Sequence, residues 1–268
     1  MKNRRAFTLI ELLVVVSIIA VLIAILIPSI SKARKLARTS VCLTNERYLV
    51  MSYRLYYTDQ GVVLHSTGHG NAGAWDYQLL GAGAGRKPDG SIGEMSYGEY
   101  YTKNGRGGNL DKARWCPEST TDRRSSSERS VGNASLCWDC RVGLGGGSTG
   151  SYAMNNWVYT PDSFTASSVP GHFPQYFYSI KNAKSESVIP VFVDAAWHDI
   201  IPTESDLPSV NLGNAEGRPN ETNLCDAVLD RHLRAVNVSF WDAHVETVKL
   251  ANLPLINWHV GWSRGTPF

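Results

Sequence analysis

From Phe7 to Ile27 the chain is almost wholly apolar, broken only by Thr8, Glu11 and Ser17, and Lys2, Arg4 and Arg5 precede the run. Crossing a hydrocarbon layer takes about 20 apolar residues, so this stretch is long enough to span a membrane. Whatever else the chain builds must hang from the end of that segment. The basic residues at its head predict a cytoplasmic N-terminus by the positive-inside bias. Glu11 is the informative exception, because an acid in a lipid-facing helix costs roughly 2.5 kcal/mol or more and calls for a partner.

The stretch Arg4-Arg5-Ala6-Phe7-Thr8-Leu9-Ile10-Glu11-Leu12 resembles the processing site of type IV pilins and of the pseudopilins of type II secretion systems. The resemblance implies cleavage between Ala6 and Phe7 by a prepilin peptidase and N-methylation of Phe7. It also implies that Glu11, fifth after the cut, pairs with the terminal amine of a sister pilin or pseudopilin subunit during assembly. Ala6 stands where the family usually has Gly, and Pro28 falls where it often has a helix-kinking proline. Implied too are a single pass of the inner membrane and a head on its periplasmic or extracellular side. Two plainer readings compete: a secretory signal peptide cut near Ser29-Ile30-Ser31, and a simple single-span anchor. Against the signal peptide stand Glu11 inside the run and a helical pattern that continues past the supposed cut.

A chain of 268 residues suits one membrane stalk and one head of ordinary size. The formal charge of +2 becomes −1 once Lys2, Arg4 and Arg5 are removed, which is not the basic footprint of a nucleic-acid binder. With 24 glycines, 12 prolines and 10% aromatics, the head reads as strands and turns rather than a helical bundle. The expected fold is α+β, a long N-terminal helix packed on an antiparallel sheet. Its parts are a leader (1–6), a membrane half of the helix (7–30), an amphipathic half (31–57) and a head (58–268).

Beyond Ser29, Ala33, Ala37, Val41, Thr44, Tyr48, Met51 and Leu55 recur every three or four residues, the period of one helical face. They predict a stripe that packs closely against a sheet or sister helices, with Lys32, Arg38, Glu46 and Arg54 mostly turned elsewhere. Pro28 lacks an amide donor and should bend the helix. Gly61, after Thr58-Asp59-Gln60, supplies the stop.

Residues 61 to 150 are glycine-rich and less legible. Gly81-Ala-Gly-Ala-Gly85 lacks the strand, helix and Lys-Ser/Thr of a phosphate-binding loop and reads as a surface loop, and Arg123 to Ser130 reads as exposed. Five cysteines permit up to two disulfides outside the cytoplasm, with one thiol left over. Cys137-Trp-Asp-Cys140 admits a redox pair, half of a zinc site, or a local disulfide, and the local disulfide is favoured because no thioredoxin-like pattern or second ligand pair accompanies it. Cys42, on the helix one residue from the stripe, and Cys116, at a strand end in Arg114-Trp-Cys-Pro117, form the other candidate disulfide. Arg114–Pro117 and Ser151–Asn155 are similar to segments of a family of large pilin-like proteins.

Ser187 to Asp194 reads as a β-run, with Pro190 placing it toward an edge or a strand start. Residues 195 to 226 form a long polar excursion. Val236, Val238 and Phe240 alternate with polar residues, and with His244–Val248 they predict a hairpin around a two-residue turn at Asp242-Ala243. The aromatic tail from Trp258 should pack back on the head. His232, nine residues, then Asp242 resembles a His-x9-Asp-Gly motif near the C-terminus of many pilin-like proteins, with Ala243 for the usual Gly. If an extended strand separates them, His232 and Asp242 lie up to about 30 Å apart, too far to share a ligand. The reading is therefore two devices, Asp242 in the turn and His232 at the strand's entry. Pairing of 188–194 with 235–241 would set Asp194 beside Arg231 and His232.

Three function classes follow: a pilus or pseudopilus subunit, an anchored module binding glycans or polymers through its 8 tryptophans and 12 tyrosines, and an anchored enzyme. No Gly-x-Ser-x-Gly, His-Glu-x-x-His or similar constellation supports the enzyme. The subunit is favoured, with no cofactor or metal expected.

Overall fold

The computed structural model describes residues 8–61, 63–64, 75, 79, 113–119, 132–139, 149–159, 176, 178–183, 185–204, 206 and 224–263. Ala6, Phe7, Cys140 and the glycine-rich stretches 68–73 and 81–93 lie outside them, as do the serine-rich run 123–130 and most of the polar excursion.

Helix α1 runs unbroken from Leu9 to Gln60, through Pro28. Thr8 caps its start, with its hydroxyl accepting from the Glu11 amide, and Gly61 ends it in the left-handed conformation (φ 70°). Glycine meets that conformation without the steric cost a side chain brings. Among the described residues this is one helix long and apolar enough to cross a membrane, and none of its apolar window is buried.

Burial begins only at Thr39 and Cys42. The face that meets the head is Cys42, Glu46, Leu49, Val50, Tyr53 and Tyr56, all buried. This corrects the predicted stripe: Val41, Met51 and Leu55 are 48%, 54% and 42% exposed. Ala33, Ala37 and Thr44 are exposed as well. The true stripe is turned by one residue, about 100° around the axis. The large aromatic and branched side chains, whose burial contributes most, decide the rotation and carry Glu46 inward with them.

Among the described residues seven short strands follow: β1 (Trp138–Asp139), β2 (Thr149–Gly150), β3 (Tyr152–Asn155), β4 (Pro190–Asp194), β5 (Asp199–Ile200), β6 (Ala235–Phe240) and β7 (Val245–Lys249). β1 and β2 form a small ribbon, and the main sheet has the order β5-β3-β4-β6-β7. It is mixed rather than purely antiparallel, because β3 and β5 pair in parallel. β4 lies in the interior of the sheet, not at an edge, and Pro190 is its first residue, where the ladder to β6 is irregular.

Both faces of the sheet are covered. On one, Leu49, Val50 and Tyr53 of α1 share a core with Tyr152, Met154, Phe192 and Trp241. On the other, Val193, Val236, Val238, Phe240 and Val248 pack with Leu250, Leu253 and Trp258 from the C-terminal turn. Alternation along β6 explains the division, since Val236, Val238 and Phe240 share one side of the strand. Asn237 and Ser239 take the helix side, are small enough to let α1 approach, and are fully buried.

The β6–β7 connection differs from a two-residue turn. Ser239 pairs with Val245, the Phe240 amide donates to the His244 carbonyl, and the Ala243 amide donates to the Phe240 carbonyl. Three residues, Trp241, Asp242 and Ala243, therefore make the loop, and Ala243 takes the left-handed position (φ 69°). That is the three-residue hairpin whose last position favours Gly. Replacing Ala243 by Gly is expected to raise stability by about 0.5–1 kcal/mol, measured as the shift in urea midpoint at unchanged slope.

Candidate functional site

Two places concentrate polar side chains where burial or lipid would penalise them. The first is the start of α1. The Glu11 carboxylate accepts from the Thr8 amide at 2.8 Å and from the Thr8 hydroxyl at 2.8 Å. Thr8 accepts in turn from the Glu11 amide at 3.3 Å. This reciprocal capping box satisfies two of the donors every helix start leaves open. In the single chain Glu11 thus finishes its own helix.

The second is the seam between the C-terminal half of α1 and the sheet. Cys42 and Cys116 are joined in a disulfide, with Cα atoms 5.2 Å apart. Asn45 donates to the Trp115 carbonyl (2.8 Å), Arg47 to the Ala243 carbonyl (3.1 Å) and the Tyr53 hydroxyl to the Val158 carbonyl (2.9 Å). Asp194 closes β4 in the middle of this seam. Its carboxylate meets His232 Nε2 at 3.1 Å and Arg231 Nη1 at 3.4 Å, and it accepts the Asn237 amide at 2.9 Å. All four residues are buried.

The turn that delivers Arg231 and His232 is unusual. Leu233 and Arg234 are both left-handed, φ 59° and 62°. Its stitches are the His232 amide to the Ala235 carbonyl and the Arg234 amide to the Asp230 carboxylate. Strained backbone of this kind persists only where the surroundings over-determine it. Here it turns two polar side chains inward. His232 Nδ1 lies 3.0 Å from the Thr39 hydroxyl of α1, and Nε2 lies 3.5 Å from Cys116 Sγ.

Burial by itself would push Asp194 up, but the opposing pull of His232, Arg231 and the Asn237 amide holds it below the ordinary carboxylate value. Burial pushes Arg231 down despite its carboxylate partner. Glu46 shows the reverse of Asp194. It is fully buried, neither carboxyl oxygen meets a donor among the described residues, and burial, reinforced by the nearby Asp194 charge, raises it well above its ordinary 4.5. The folded protein therefore holds a proton that the unfolded chain releases above about pH 4.5. A raised folded-state value means stability is lost as pH rises, with a limiting slope of about 1.4 kcal/mol per pH unit. Glu46→Gln is expected to match the parent near pH 4.5 and to exceed it by about 1–2 kcal/mol at pH 6. Paired urea titrations at the two pH values read this directly.

The structure thus brings Asp194, Arg231 and His232 to one point and leaves Asp242 at the far end of β6. There Asp242 bonds the His244 amide and ring, at 3.0 and 2.6 Å, inside the hairpin loop. Cys137 is buried in the head. Sequence reasoning missed Glu46 and Thr39. Their positions relative to Cys42, at i+4 and i−3, put all three on one helical face, but an acid ordinarily reads as outward-facing.

A long helix whose apolar N-terminal half is unburied and whose C-terminal half lies on a five-stranded sheet is a pilin-like architecture. Residues 1–27 match the prokaryotic N-terminal methylation motif. The chain is also 44% identical over 59 residues to the type IV wide pilus major component PilA4 of Thermus thermophilus, covering 22% of this chain and 45% of that one. The chain thus spans under half the length of that curated relative. No solved structure matches it.

Proposed function

We propose that this chain is a membrane-anchored pilin-type subunit that assembles with sister subunits into a type IV pilus or a type II secretion pseudopilus. The observation that carries the reading is the methylation motif at 1–27 placed on a helix whose apolar half is wholly unburied in the single chain. Such a surface needs either lipid or the helices of neighbouring subunits. In this reading a prepilin peptidase of the inner membrane cuts between Ala6 and Phe7 and methylates Phe7. The N-terminus begins in the cytoplasm and the head lies outside it. The protein works as a structural part, not as an enzyme.

Glu11 then has two successive partners. In the membrane it caps its own helix, and in the filament its carboxylate meets the terminal ammonium of the next subunit, an attraction that low dielectric strengthens. Two substitutions separate these roles. Glu11→Gln keeps a capping side chain but loses the charge, whereas Glu11→Ala loses both. Both variants are expected to insert in the membrane and to be absent from sheared filaments. Filaments of normal yield from Glu11→Gln would remove the charge-pairing role. Mass spectrometry of the N-terminal peptide should show methylated Phe7, and an intact leader on the membrane protein would remove the processing step.

A further inference from the structure

The sulfurs of Cys42 and Cys116 and a ring nitrogen of His232 are all buried and lie within 4.8 Å of one another. His232 Nε2 is the hub, 3.5 Å from Cys116 Sγ and 3.1 Å from Asp194 Oδ2. Around a tetrahedral zinc ion, bonds of about 2.3 Å to sulfur and about 2.0 Å to nitrogen and oxygen give edges of about 3.5 Å (N to S) and about 3.3 Å (N to O). Both observed spacings fall close to these edges. We propose that the dithiol form of this protein binds one zinc ion through Cys42 Sγ, Cys116 Sγ, His232 Nε2 and Asp194 Oδ2. Metal and disulfide are then alternative closures of the same helix-to-head seam.

The surroundings support the assignment independently. Thr39 Oγ1 donates to the Lys35 carbonyl at 3.0 Å, so it accepts from His232 Nδ1. In the zinc form that bond keeps a proton on Nδ1 and leaves Nε2 for the ion, the outer-shell arrangement that orients metal-binding imidazoles. The charges also balance. Zn²⁺, two thiolates, the Asp194 carboxylate and the Arg231 guanidinium sum to zero around a neutral ring, which a buried site requires. A set of two thiolates, imidazole and carboxylate suits zinc, whereas calcium and magnesium prefer all-oxygen sites.

No reductant is needed to reach the dithiol, because the chain is synthesised with thiols. On binding, each thiol releases its proton to solvent, two S–Zn bonds form, and no electrons move. Oxidation of the zinc form instead passes two electrons from the thiolates to a disulfide-bearing oxidant, whose released thiolates take two protons from solvent, joins the sulfurs and expels the ion. The inference does not depend on the filament reading, since it concerns the seam alone.

The test uses the full-length chain in detergent micelles, freed of metal and held in a phosphine reductant, titrated with Co²⁺ and then Zn²⁺. One ion per chain is expected, with the sulfur-to-cobalt charge-transfer and intense d–d bands of a tetrahedral thiolate site, lost when zinc is added. His232→Ala should weaken binding by tenfold or more, and Thr39→Ala, which keeps every ligand, by about tenfold. Changing Cys137, Cys140 and Cys225 together to Ser should leave affinity unchanged, and the oxidised protein should bind no ion. The proposal is overturned if the reduced chain takes up no metal, or if Cys42→Ser keeps the charge-transfer band. It is overturned equally if Thr39→Ala and His232→Ala both bind as the parent does, or if removing the other three cysteines abolishes binding.

Discussion

Asp194→Ala is expected to destabilise the head by about 3–5 kcal/mol, the cost typical of removing one partner from a buried ion pair. The substitution leaves the Arg231 guanidinium and the His232 ring facing an empty space at a position where no solvent enters. It also strands the Asn237 amide, which donates to Asp194 at 2.9 Å. Arg231 keeps carbonyl acceptors at Asn133, Leu136 and Ala195, so the turn should hold while the seam loosens. The pH dependence follows from the depressed folded-state value of Asp194. A depressed value gives stability that is present above about pH 3.8 and is lost as pH falls through the lower folded-state value. Asp194→Asn should therefore flatten the acid limb of the stability curve. Combined with Arg231→Met, the loss should fall well short of the sum, because the second change removes the charge the first left unpaired. A loss below about 1 kcal/mol for Asp194→Ala would mean that solvent or another group reaches Arg231 and His232.

What could be read in the sequence was whatever depends on local chemistry. Glycine at 61 ends α1 because only the residue type at that position matters for a left-handed cap. The alternation of Val236, Val238 and Phe240 gives their common side of β6 for the same reason. The rotation of α1 was not legible, since Ala33 and Ala37 continue a periodic pattern along a part of the helix that touches no head. Only the sheet decides where the contact starts. It also decides that Glu46 is buried, at a register where Leu49 and Tyr53 cannot be buried without it. The parallel pairing of β3 with β5 is a tertiary outcome that two residues, Asp199 and Ile200, do not announce. At the candidate sites, Glu11 stood out because lipid makes an acid conspicuous. Thr39 did not, because its role exists only once His232 arrives from 193 residues away.

Opening the Cys42–Cys116 disulfide, with a chelator present, is expected to cost about 4.5 kcal/mol by the chain-entropy relation for a loop of this size. The two cysteines are 74 residues apart in sequence, so the bond removes much freedom from the unfolded chain. It ties the first buried turn of α1 to residues 114–118, which also meet the helix through Asn45 to the Trp115 carbonyl and Arg38 to Glu118 at 3.7 Å. Arg38 is exposed, and such a pair contributes about 0–1 kcal/mol. The loss should therefore be local before it is global. Hydrogen exchange on the Cys42→Ser, Cys116→Ser chain should show protection falling first across residues 39–46. Leu49, Val50 and Tyr53 stay packed in the aromatic core and should hold the rest of the helix to higher denaturant. If reduced and oxidised chains unfolded at the same midpoint with the same slope, the disulfide would not tether α1 to the head. A uniform loss of protection along all of α1 would instead mean that helix and sheet unfold as one unit.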